Sequence, residues 1–288
     1  MKSSITAVLV SCTIVLTASA AEMRGDRDLA YADSKDEKQT LDVYRPAEDN
    51  DGPAKNAGRP IVFWVHGGGW MRGDKAEVKL KPRLFVDAGC VFISTNYRVF
   101  PDVSIRTIAE DVAKALRWTH DHARQFGGDP NAILVMGHSA GAQLAALVAT
   151  DERLLKAEGL PLSILKGCVP VDGDTYDVPL QIATVEPPRA DRYRWKFGSS
   201  SSQADLSPAL HVAKGKDIPP FLILHVAGHP ETGLQSQRLA RALNDAGIAA
   251  RAFGAEGKDH DSLNDELGTP DDRATAALLE FVRGVTAQ

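Results

Sequence analysis

Ser139 stands in the run Gly137-His138-Ser139-Ala140-Gly141, between an apolar stretch that ends at Met136 and a helix-forming stretch that starts at Gln143. Glycines two before and two after a serine let the chain turn sharply from strand to helix and lift the hydroxyl clear of the backbone. The helix that follows would aim its first amides at any oxyanion formed on a bound carbonyl, beginning with Ala140 N–H. Ser139 is therefore the candidate nucleophile. A tetrahedral oxyanion needs a second donor from the opposite side, and the sequence His66-Gly67-Gly68-Gly69-Trp70 follows a short apolar run, Ile61 to Val65. Loop glycines allow close approach of backbone N–H groups, so Gly67 and Gly68 are the candidate partners of Ala140. His66 reads as a loop-former and not as the base, and Trp70 reads either as a lining residue of the acyl pocket or as packing beneath the loop.

A serine needs a base. The two motifs resemble those of the α/β-hydrolase fold, which implies a base late in the chain; of eight histidines, His260 in Gly257-Lys258-Asp259-His260-Asp261-Ser262 has that place, after the last strand-like run, Ala249 to Phe253, and before a helical run from Asp271 to Val285. A neutral imidazole there could take the Ser139 proton and return it to a leaving alcohol. His225 and His229 fall near the preceding strand end, whereas His120, His122 and His211 read as surface or helix positions.

The two glycine-bearing motifs, with the serine run C-terminal to the His66 to Trp70 run, resemble the paired motifs of the α/β-hydrolase fold. The segment Met71-Arg72-Gly73-Asp74-Lys75 and the run Asn96-Tyr97-Arg98 are similar to the esterase and arylformamidase-like branch related to hormone-sensitive lipase. The resemblance covers most of the chain after its leader. It implies an α/β architecture, a mostly parallel sheet flanked by helices, and triad members in the order serine, acid, histidine. It also implies an acid just after the strand-like run Pro220 to His225. That loop, Val226-Ala227-Gly228-His229-Pro230-Glu231-Thr232, holds no aspartate, so Glu231 is the expected acid and Asp172, after the run Leu165 to Val171, the alternative. Asp174 and Asp177 read as turn or cap residues, and Asp259 and Asp261 flank His260 on side chains that should diverge.

The elements that must position these groups alternate. Leu29 to Tyr31 and Thr40 to Tyr44 are expected as an opening hairpin and Asp49 to Pro60 as a loop. Core strands are expected at Ile61 to Val65, Val91 to Thr95, Ile133 to Met136, Leu165 to Val171, Phe221 to His225 and Ala249 to Phe253, with helices near Ser104 to Phe126, Ala140 to Thr150 and Gln235 to Ala246. Residues 179–207, with Pro187-Pro188, Tyr193, Trp195 and four consecutive serines, interrupt that rhythm and are expected to form a small cap.

Met1-Lys2, the apolar run Ile5 to Thr17 and Ala18-Ser19-Ala20 read as a secretory signal peptide over residues 1–20, which leaves one domain over 21–288 and an exported, secreted or periplasmic, protein. Anchoring through Cys12 is the alternative. The run is too short for a membrane span. A net charge of −5 with no basic stripe excludes nucleic acid as an expected partner. No spacing of Cys and His suggests a metal, no cofactor is expected, and Cys90 and Cys168 read as buried thiols. The function expected is serine carboxylic-ester hydrolysis through an acyl-enzyme, on short-chain or aryl esters, either small molecules or polysaccharide-linked. Alternatives are an arylformamidase-type amide hydrolase and a non-catalytic binding protein. A peptidase is disfavoured, because the chain lacks room for a peptide-selecting domain. Neither the acyl and alcohol preference nor the oligomeric state follows from the sequence.

Overall fold

A computed structural model describes residues 22–47 and 58–287. The expected leader, Cys12 and most of the expected loop at Asp49 to Pro60 lie outside the described residues. Among the described residues eight strands form one sheet: β1 (Met23–Ala30), β2 (Thr40–Pro46), β3 (Arg59–Val65), β4 (Val91–Thr95), β5 (Gly128–His138), β6 (Leu165–Val171), β7 (Phe221–Val226) and β8 (Ala250–Ala255), in the order β1-β2-β4-β3-β5-β6-β7-β8. The first two form an antiparallel hairpin, longer than expected at its first strand, and β2 joins β4 antiparallel. From β4 to β8 every pairing is parallel.

The inner strands are apolar and β-branched on both faces because helices cover both sides of a parallel sheet. Ile61, Phe63, Val135 and Ile223 face one buried cluster, and Val62, Trp64, Leu134 and Leu224 face the other. One covering helix, the elbow helix Ala140–Thr150, is buried along its whole length. A Cβ added to Gly141 would stand 2.2 Å from the Val65 carbonyl oxygen, so only glycine lets this helix start against the end of β3.

The segment expected as a cap is helical. Val178–Thr184, Pro187–Phe197 and Ser200–Asp205 follow one another on the side of the sheet's carboxyl ends. Asp177 caps the first of these helices, accepting from Leu180 N–H at 3.2 Å. The Pro187–Phe197 cap helix docks on the glycine-rich loop: Phe197 meets Trp70 edge to face with ring centres 5.0 Å apart, and Lys196 Nζ donates to the Gly69 carbonyl at 3.1 Å. Cys90 and Cys168 are both buried free thiols. No helix among the described residues is long and apolar enough to cross a membrane.

Candidate active site

Ser139 sits between β5 and the elbow helix with φ 55° and ψ −118°. A non-glycine residue in that region is strained, and such strain persists only where surrounding structure imposes it. Here the constraints are visible. Ser139 N–H donates to the Val171 carbonyl at 2.9 Å, and the turn closes through Ala142 N–H to the Ser139 carbonyl at 3.0 Å. Ala140 is the first helical residue, a position whose amide has no intrahelical acceptor. The glycine-rich loop lies directly across: a Cβ on Gly67 would come within 3.3 Å of the Ser139 Cβ. Gly67, Gly68, Ser139 and His260 line one cavity of about 890 Å³. The donors and the hydroxyl that the sequence singled out are thus brought together.

His260 begins the short helix His260–Asp265, the histidine helix, which Asp259 and Ser262 open with a reciprocal capping box. Its Nδ1 faces Asp172 Oδ2 at 2.6 Å. Asp172, only 1 % exposed, follows the last residue of β6; its Oδ1 accepts from Val226 N–H at 2.9 Å and its own amide donates to the Leu224 carbonyl at 2.8 Å. Burial alone would push the Asp172 carboxyl up, but the bonds from His260, Val226 and Thr232 outweigh it and hold the pKa below the usual carboxylate value. The hydrogen bond to Asp172 raises the His260 pKa above its usual 6.5, against the lowering effect of burial. A buried anion against Nδ1–H leaves Nε2 as the proton acceptor.

Glu231 is therefore corrected as the expected acid. It lies in the first turn of Pro230–Asp245, and its carboxylate pairs with Arg189 of the cap helix, not with His260. The adjacent, parallel ends of β6 and β7 explain the exchange. Val171 is level with Leu224, so a carboxylate from the β6 end reaches the same place, and β7 contributes the Val226 amide that holds it.

Trp70 is also corrected as a substrate contact. With φ 63° it turns under the cap, 3 % exposed, and its Nε1–H donates to Gln143 Oε1 at 3.1 Å while Gln143 Nε2 donates to the Leu206 carbonyl at 2.8 Å. The indole ties the glycine loop to the elbow helix and, through Gln143, to the cap. His66 has the loop-forming role expected of it: Nδ1 donates to the Gly67 carbonyl at 2.8 Å, and the ring stacks on Tyr97 at 4.2 Å. Burial pushes its pKa down to about 4.

Two residues that sequence reasoning passed over also shape the site. His138, in the variable position before the serine, donates from Nε2 to the His260 carbonyl at 3.0 Å, and the two rings lie 4.4 Å apart. Burial first, and the neighbouring His260 second, push its pKa down to about 3, so it stays a neutral donor. Lys81 is fully buried; its Nζ lies 4.5 Å from the centre of the Trp64 ring and donates at 2.7 Å to the Asn264 carbonyl near the end of the histidine helix. Last-turn carbonyls lack intrahelical partners, which is where a cation is favoured. Burial lowers the Lys81 pKa to about 7. A lysine at the start of a short amphipathic helix gives no sign of this in sequence.

Among the described residues, Asp151, Asp205 and His211 are the one group with metal-ligand spacing, and Asp151 is already bonded by Arg153 at 2.7 Å and Arg106 at 3.2 Å. That group reads as an ion-pair network.

A family model described as BD-FAE matches residues 41–162. Among curated proteins, the chain is 32 % identical over 133 residues to a probable isoprenylcysteine alpha-carbonyl methylesterase, ICMEL1, of Arabidopsis thaliana, covering 46 % of this chain and 26 % of that protein. It is 30 % identical over 214 residues to the probable carboxylic ester hydrolase LipM of Mycobacterium tuberculosis, covering 69 % and 47 %. The chain thus spans between about a quarter and about a half of the length of these curated relatives. Among solved structures, esterase B of Lactobacillus rhamnosis superposes with a TM-score of 0.75 at 24 % identity, over 92 % of this chain and 87 % of that one, a likeness of fold.

Proposed function

Because the chain belongs to the α/β-hydrolase fold, we propose that it is a serine carboxylic-ester hydrolase acting through an acyl-enzyme. The observation that carries this reading is the buried Asp172 carboxylate 2.6 Å from His260 Nδ1, on the imidazole that lines one cavity with Ser139. In the proposed cycle, Ser139 Oγ attacks the ester carbonyl carbon while His260 Nε2 takes its proton, and Asp172 stabilises the imidazolium so formed. The carbonyl oxygen, now an anion, is held by the amides of Gly67, Gly68 and Ala140. Collapse expels the alcohol, which takes the proton back from His260. Water then attacks the acyl carbon with His260 again as base, and Ser139 leaves protonated.

Short-chain or aryl esters, free or polysaccharide-linked, are the substrates proposed, and residues 1–20 are proposed to export the protein. The reading as a binding protein rested on the missing aspartate after β7, and the Asp172 contact with His260 supports the ester-hydrolase reading over it. The arylformamidase-type reading would use the same groups on an amide, and no observation favours it over the ester.

The test is saturable hydrolysis of p-nitrophenyl acetate with its pH profile. The base works only when neutral, and Asp172 raises its pKa, so kcat/KM rises with pH along a limb centred above 6.5. In Asp172→Asn that limb moves to lower pH. A wild-type rate that does not change across the limb would remove His260 from the mechanism.

A further inference from the structure

Lys196, on the cap helix, reaches down onto the glycine-rich loop. Its Nζ donates to the Gly69 carbonyl at 3.1 Å and lies 5.2 Å from the centre of the Trp70 ring. It is half-buried and lines the same cavity as Ser139 and His260. An ammonium has three donors, and one carbonyl uses one of them. Among the described residues Lys196 forms no ion pair, and neither does Arg72, an exposed residue that also lines the cavity. Asp174, the nearby carboxylate, is engaged by Arg189 at 3.0 Å and by the Tyr193 hydroxyl.

The cavity also holds acids, and they differ in setting. Asp265 is paired with Lys79 at 3.1 Å, while Glu77 and Asp261 are exposed and keep their hydration. A half-buried ammonium has lost part of its water, and Asp174 acts on it only at a distance without forming an ion pair, so a matching anion placed there forms a charge-assisted bond that a neutral group cannot. Burial accordingly lowers the Lys196 pKa.

From this arrangement we infer that the enzyme prefers esters carrying an anionic group, a carboxylate or its equivalent, which Lys196 binds beside the glycine-rich loop. The inference rests on the ester-hydrolase reading and names the substrate class for that site.

The experiment compares charged esters with neutral counterparts on each side of the scissile bond. On the alcohol side the pair is 4-acetoxybenzoate and its methyl ester; on the acyl side it is mono-p-nitrophenyl adipate and p-nitrophenyl hexanoate. Lys196→Met is expected to lower kcat/KM for the charged member of one pair by about 10- to 100-fold more than for its neutral member, mainly through KM. Lys196→Arg keeps the preference. The side that responds shows whether acyl or alcohol carries the anion.

Equal losses for charged and neutral esters in both pairs would overturn the proposal and reduce Lys196 to a dock for the cap. Titration calorimetry of the same charged esters on Ser139→Ala, with and without Lys196→Met, separates this inference from the parent reading. Binding lost only with Lys196→Met upholds anion recognition even if no ester is turned over; unchanged binding overturns it.

Discussion

Replacing Ser139 with alanine lowers kcat for p-nitrophenyl acetate by about 10⁴-fold or more while leaving the fold intact. The change deletes one oxygen. The backbone constraints at the elbow, Ser139 N–H on the Val171 carbonyl and Ala142 N–H on the Ser139 carbonyl, do not involve the side chain, and alanine meets the same φ of 55° with no larger Cβ. What remains is the set of amides from Gly67, Gly68 and Ala140, which still polarise a bound carbonyl and leave some rate above that in water. Saturation kinetics beside a thermal melt check both halves of the expectation. A variant that keeps more than a tenth of the wild-type kcat would show that another group attacks.

Asp172→Asn is the second large effect, a fall of about 10³- to 10⁴-fold in kcat. The asparagine can still accept the Val226 N–H through its oxygen, and it tolerates the φ of 49° at this position better than most residues. Its amide nitrogen then faces His260 Nδ1 as a donor. That arrangement puts the imidazole proton on Nε2, where it cannot accept from Ser139, and no buried charge remains to stabilise the imidazolium. Glu231→Gln is the paired control. Its carboxylate is part-exposed and bound to Arg189, so its loss costs about 1 kcal/mol or less in stability and changes kcat/KM by less than about threefold. Should Glu231→Gln instead cost as much as Asp172→Asn, the assignment of the acid to β6 fails.

The contrast between these carboxylates shows how far the sequence reaches. The elbow is legible because its geometry is set within five consecutive residues: glycine at 137 is demanded by the Gly141 carbonyl oxygen, 2.2 Å from where a Cβ would stand. His260 is legible through the resemblance, which implies a base between the last strand and the last helix. The acid is not, because which strand end supplies it depends on the pairing of β6 and β7, residues more than fifty apart in sequence. The sequence narrows it to Glu231 or Asp172; only the level of Val171 against Leu224 decides.

Trp70 fails for a similar reason. Whether a tryptophan beside a glycine loop meets substrate or packs beneath depends on a partner 73 positions away, Gln143, and on the cap's Phe197. His138 and Lys81 lie further from reach: each acts on the histidine helix through a main-chain carbonyl, and no side-chain pattern records such a contact.

Covalent trapping by a p-nitrophenyl phosphonate ester, read by intact mass and peptide mapping, reports the attacking atom itself. One equivalent of p-nitrophenol is expected to be released and one phosphonyl group gained, on Ser139 in the peptide spanning Gly137 to Gly141, with none in Ser139→Ala. A phosphonyl group on a different residue, or p-nitrophenyl acetate turnover with no adduct at Ser139, would contradict Ser139 as the nucleophile.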